Sequence, residues 1–219
     1  MQAMPNWNTI KGFTDSSDRY LYSPVIRAHQ KASDGFKKLD HYLTRYFIDS
    51  AKLSKLSLED YTYLSQCMQY YILKNSIAVH RSKSPRNMGT LLWQLNDCWP
   101  VASWSITDYS RYPKAAWYAV RDAYRDDVLP VKDTLYPMDL KLEKPGFTII
   151  QEGNSIMIRA NTFAKYVQLY FDEEDPLFSD NYFDLYPGIT KKITFQNSTK
   201  KQQLLSKLKV RSLYDLLFK

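Results

Sequence analysis

The chain has 219 residues, 44% of them hydrophobic, enough for one large or two small cores and too polar throughout to hold a bilayer-spanning run. Its formal net charge of +7 would suit an anionic partner, but the lysines lie in short separate pairs (Lys37-Lys38, Lys191-Lys192, Lys200-Lys201) and no nucleic-acid-binding signature accompanies them. Neither nucleic acid nor membrane is therefore an expected partner.

Residues 1–25 carry Pro5, Gly12, a Thr14-Asp15-Ser16-Ser17-Asp18 cluster and Pro24, which predict irregular surface loops. Between Val25 and Phe47, apolar residues at helical spacing (Phe36, Leu39, Leu43) predict one or two short helices, broken or bent at Gly35. A clearer helix starts after Ser57. That hydroxyl can cap the first turn, Glu59 and Asp60 complement the helix dipole, and Tyr61, Leu64, Met68, Tyr71 and Ile72 continue an apolar face towards Arg81.

Pro85 and Asn87 end that helix, and Met88 to Leu95 is an apolar run of strand length that alternates poorly, as a strand covered on both faces does. A loop from Asn96 to Pro113 follows, and then a helix from Lys114 to Tyr124 that begins just after proline. Helix, strand, long loop and helix is the order found at the end of a repeated βα pattern, whose loops after the strands hold ligands.

After Asp126 the character changes. Met138–Leu142, Phe147–Ile150, Ser155–Ala160, Tyr166–Phe171, Lys191–Phe195 and Leu204–Leu213 are strand candidates, separated by Pro145-Gly146, Glu152-Gly153-Asn154 and Pro187-Gly188 turns, and they predict a small antiparallel sandwich. The fold class expected is thus α/β followed by all-β. Cys67 and Cys98 lie in unlike segments without metal-ligand spacing, and both are expected to be buried free thiols. With no metal-spaced cluster and no glycine-rich phosphate loop, no cofactor is expected.

The stretch MGTLLWQLNDCWPVASWSITDY, from Met88 to Tyr109, resembles the last barrel strand and following loop of β-mannosidases of glycoside hydrolase family two. The onward Tyr112-Pro-Lys-Ala-Ala-Trp-Tyr resembles the helix that follows, and MQAMPNWNTI resembles the segment directly after that family's nucleophile loop. FSDNYFDLYPGITKKITF and KVRSLYDLL resemble strands of its C-terminal immunoglobulin-like domain. The resemblance implies the C-terminal remnant of a (β/α)8 barrel over 1–128, a linker at 129–136 and an immunoglobulin-like β-sandwich over 137–219. Family members usually place another sandwich between barrel and terminal domain, where this chain has only about Asp126 to Tyr136.

The activity implied is retaining removal of terminal β-linked mannose by two carboxyl groups about 5 to 5.5 Å apart. The family's nucleophile lies in a Ser-Glu-aromatic-Gly stretch just before the position matched by Met1, and its acid/base lies further upstream. The one glutamate of the first part, Glu59, belongs to a helix first turn. No catalytic residue is therefore expected in the chain. It would be inactive alone, and its partners would be the remaining barrel and, through the complete enzyme, a β-mannoside or manno-oligosaccharide. Residues 1–126 alone should be unstable or depend on that barrel.

Trp93 matches the strand-end tryptophan that forms part of the sugar subsite floor, and Asn96, Asp97 and Trp99 are the further substrate-binding candidates. Asn96 and Asp97 can equally cap backbone N–H groups, and Trp99 and Trp104 can equally anchor the loop. His29 is read as a structural group. The competing reading is a carbohydrate-binding or interaction module without catalysis.

Overall fold

A computed structural model describes residues 1–125, 133–174, 176–196 and 204–218, with the side chains of 204 and 205 left aside. Two compact units result, Met1–Leu140 and Lys141–Lys219. The linker expected at 129–136 lies outside the described residues up to position 132.

In the first unit the described helices are α1 (Trp7–Phe13), α2 (Pro24–Ala28), α3 (Gly35–Tyr46), α4 (Ser50–Leu53), α5 (Leu58–Arg81) and α6 (Ala115–Ala123), with 3-10 turns at Ser16–Asp18 and Pro137–Asp139. The Ser57 hydroxyl accepts from the Asp60 N–H at 3.0 Å, and His80 and Arg81 occupy the last turn of α5, so both ends of this helix complement its dipole. Gly35 starts α3 rather than breaking it. A Cβ there would stand 2.3 Å from the Gln30 side chain and would displace the amide that accepts from Gln2 Nε2.

The N-terminal segment corrects the sequence reading. Ala3, Met4 and Ile10 are buried, and α1 lies where surface loops were expected. The segment is extended near residue 3 and takes its hydrogen bonds from polar side chains of α5: Ser65 Oγ accepts from Met4 N at 3.0 Å, and Gln66 Nε2 donates to the Met4 carbonyl at 3.3 Å. Chain breakers signal local geometry, not exposure, and here buried helix side chains satisfy the backbone they free.

A second correction concerns Met88–Leu95. This run forms no strand, and Met88, Leu91, Trp93 and Leu95 are 65% to 100% exposed. Among the described residues no ladder flanks positions 88–93. An apolar run becomes a buried strand only where neighbours supply hydrogen bonds and cover its faces. Short antiparallel or parallel contacts do occur nearby: Ala3 with Ser103, Gln30 with Ala102, and Thr107 with Pro113.

The second unit is an antiparallel two-sheet domain. Strands β1 (Phe147–Glu152), β2 (Ser155–Ala160), β4 (Leu177–Phe178) and β6 (Lys191–Gln196) form one sheet in the order β1-β2-β6-β4. Strands β3 (Ala164–Tyr170), β5 (Phe183–Leu185) and β7 (Lys209–Arg211) form the other, ordered β5-β3-β7. β1 alternates between half-buried and exposed, as a strand with one solvated face does. The hairpin β1–β2 closes from Glu152 to Ser155 around Gly153 at φ +60°, a backbone state that glycine enters without steric cost. Ile156, Ile158, Val167, Leu169, Phe183, Leu185, Ile193 and Phe195 share the core.

Two expected strands differ. Met138–Leu142 begins as a 3-10 turn, and Leu204–Leu213 divides into α7 (Leu204–Lys207) and β7, with α8 (Tyr214–Leu217) after it. β4 and β5 were not separated from the sequence because strands of two and three residues are too short to show a period.

Candidate functional site

The loop from Asn96 to Pro113 is anchored on a buried polar lattice rather than on apolar contacts alone. Asp97 is its hub. Its side chain is wholly buried, and Oδ2 accepts from the hydroxyls of Ser103, at 2.8 Å, and Ser105. Two cations flank the same carboxylate, with Lys31 Nζ at 3.9 Å and Lys114 Nζ at 3.8 Å. Lys114 is completely buried, and its ammonium donates to the Ala3 carbonyl at 3.4 Å. Removal from water, opposed by Asp97 and Asp108, brings its pKa down to about 8.

Asp108 closes the far end of the loop. Its carboxylate accepts from Asn6 N (3.1 Å), Thr9 Oγ1 (2.8 Å) and Tyr112 N (3.1 Å), and burial pushes its pKa up against those bonds. Together with the 108–112 backbone bonds this fixes a tight turn in which Arg111 takes φ +69°, uncommon for a residue with a side chain. From α5, Gln69 Nε2 donates to the carbonyls of Trp104 and Ser105, both at 3.2 Å. His29 Nδ1 lies 2.6 Å from the Pro100 carbonyl, and its ring stacks on Phe13 at 3.9 Å and tilts against Trp99 at 5.3 Å.

The four sequence candidates thus separate. Trp93 is 74% exposed and Asn96 is exposed, whereas Asp97 is buried and Trp99 is half-buried beside His29. Asn96 and Asp97 meet Asp108, Tyr109, Ser110 and Arg111 around an open hollow of about 380 Å³. Trp93 and Trp99 do not line it. Both carboxylates at this hollow already hold donors, Asp97 from the loop itself and Asp108 from the loop and the N-terminal segment. Cys98, expected to be buried, is exposed, whereas Cys67 is buried as expected.

Sequence reasoning did not single out Lys114, Ser103, Ser105, Thr9 or Gln69. Polar residues inside apolar-patterned segments were the available signal: Thr62, Ser65, Gln66 and Gln69 share one face of α5, opposite Leu64 and Met68, and Lys114 directly precedes an alanine-rich helix. Among the described residues no group of three His, Cys, Asp or Glu side chains could hold a metal, and no helix is long and apolar enough to cross a membrane.

Comparison with known proteins decides the relationship. Residues 142–216 match the mannosidase Ig-fold domain family. Over 124 residues the chain is 38% identical to β-mannosidase B of Aspergillus flavus and 39% identical to that of Emericella nidulans. The chain is similar to the C-terminal part of a β-mannosidase. These alignments cover 55% of the chain and 14% of each of those β-mannosidases, so the chain matches a small share of their length.

The fold agrees. A β-D-mannosidase from Dictyoglomus thermophilum superposes with a TM-score of 0.79 over 97% of the chain and 36% of its own, at 23% identity. The exo-chitosanase of Amycolatopsis orientalis reaches 0.65 over 97% and 40%, at 12% identity. The shared architecture extends beyond β-mannosidases to an enzyme named for a different sugar polymer.

Proposed function

We propose that this chain supplies one wall of a β-mannoside-binding site, with Trp93 as its sugar-facing residue, and that the catalytic carboxylates come from a barrel outside it. The first unit, on this reading, is the C-terminal portion of a (β/α)8 barrel, and the second is the terminal immunoglobulin-like domain. The observation that carries the proposal is the contrast at 93–97. A large apolar ring stands 74% exposed four residues from a carboxylate whose side chain is wholly buried and fixed by two hydroxyls.

A tryptophan face suits the apolar C–H side of a pyranose, and holding such a ring in water without a partner forfeits apolar burial. The exposed Met88, Leu91 and Leu95 support the barrel reading, because strand neighbours would cover them. Asn96 can offer an amide to sugar hydroxyls from the rim of the hollow. Asp97 and Trp99 shape the loop beneath.

The chemistry of glycoside retention needs one protonated and one ionised carboxyl group on opposite sides of the anomeric carbon. Asp97 and Asp108 do not fit these roles. Asp97 lies between two lysines and accepts from two hydroxyls, and Asp108 is held by three donors, so neither is free to attack carbon or to deliver a proton to a leaving group.

Complementation tests this reading. A polypeptide bearing the upstream part of a β-mannosidase, mixed with this chain, should hydrolyse an aryl β-mannoside, and Trp93→Ala should raise KM or lower kcat at least tenfold in that mixture. An assembled, active mixture indifferent to Trp93→Ala would remove the subsite assignment. Binding of manno-oligosaccharides by the chain alone, unaffected by the upstream part, would favour a carbohydrate-binding module.

A further inference from the structure

We infer that Lys114 is a proton-linked latch on the 97–106 loop: the loop closes more tightly when this buried amine gives up its proton. The inference stands apart from sugar binding and rests first on geometry. An ammonium has three N–H donors. Here the group is sealed from water, makes one long hydrogen bond of 3.4 Å to the Ala3 carbonyl, and faces its nearest carboxylate oxygen, on Asp97, at 3.8 Å. That oxygen is already occupied by the hydroxyls of Ser103 and Ser105. The charged form is therefore poorly solvated where it sits.

The seal over the amine is the loop itself. Ser103 pairs with Ala3 through two backbone bonds, 2.9 and 3.1 Å, and the Lys114 N–H donates to the Ile106 carbonyl at 2.9 Å. Lifting 97–106 breaks those contacts and admits water to Nζ. The charged groups acting on Lys114 are Asp97 and Asp108, which favour its proton, and Lys31, which opposes it. From α5 the nearby groups are neutral: Gln66 Oε1 accepts from Ala115 N at 3.0 Å, and Gln69 holds the Trp104 and Ser105 carbonyls.

The direction of the pH effect follows from linkage. With the loop open the amine titrates at its ordinary 10.5, and with it closed at about 8. Between those values the open form carries more protons, so raising the pH favours the closed form. The effect is at most tenfold per pH unit and, across the whole interval, about 300-fold. Below pH 8 both forms are charged and the latch is at its weakest. The Met1 amine, lowered below 8.0 by burial, titrates beneath this window.

Two measurements on the 219-residue chain test the latch. Carbon-13 NMR of the lysine Cε should show one titration with a midpoint near 8 that is lost in Lys114→Met. Chymotryptic cleavage after Trp104, normalised to a free peptide spanning 100–108, should slow by about tenfold or more between pH 8 and 9.5 in the wild type and stay level in Lys114→Met. A Lys114 midpoint near 10.5 would overturn the inference. So would a midpoint near 8 with flat normalised cleavage, since the amine would then be buried without controlling the loop. Should Lys114→Met not fold, the two wild-type profiles decide.

Discussion

The two units solve the same problem, satisfying buried backbone, by different means. In Lys141–Lys219 the strands pair with one another, and a core of Ile, Val, Leu and Phe lies between two sheets. In Met1–Leu140 extended segments are held instead by buried side-chain amides, hydroxyls and charges, while Met88, Leu91, Trp93 and Leu95 stand in solvent. Among the described residues the first arrangement encloses its apolar core between its own sheets. The second places apolar surface where water is its only partner among the described residues, the pattern expected of a region built to meet further chain.

Separating the units is the harshest challenge to this contrast. Residues 141–219 alone should unfold cooperatively in heat or urea, and 1–126 alone should melt at a lower temperature over a broader range, as circular dichroism would record. A sharper and higher transition for 1–126 would erase the distinction. Next in size, Ile193→Ala in the second core should cost about 2–5 kcal/mol, the range for deleting methylenes from a closed core, as read from urea titration.

Asp108→Ala probes the polar lattice. It strands the Asn6 and Tyr112 amides and leaves the Thr9 hydroxyl to Ser110 alone, and a loss of about 1–3 kcal/mol is expected from part-buried donors left unpaired. Asp108→Asn should cost less because its carbonyl still accepts. The smallest effect falls on the residue assigned to sugar: Trp93→Ala should change stability by no more than about 0.5 kcal/mol, since most of the ring is already in water. A large loss would place Trp93 in the structural scaffold.

Legibility from sequence followed the same division. α5 could be read from Ser57 to Arg81 because cap, first-turn acids and apolar face all agree, and β1, β2 and β6 because turn residues adjoin each. Residues 88–95 misled because composition reports what a segment can bury, whereas ladder partners determine whether it does. Asp97 could be placed on the loop, but its burial depends on Lys31 and Lys114, 66 residues before and 17 after it, and no local pattern encodes that meeting. The family resemblance drew attention to Trp93 and Asn96, but not to the lattice that fixes the loop beside them.

The central claim is that this chain carries a sugar-facing wall without the carboxylates that cleave the bond. Incubating the purified chain, free of other glycosidases, with an aryl β-mannoside measures it directly. No release of the aryl alcohol above background is expected until an upstream β-mannosidase segment is added, and hydrolysis by the chain alone, abolished by Asp97→Asn or Asp108→Asn, would contradict it.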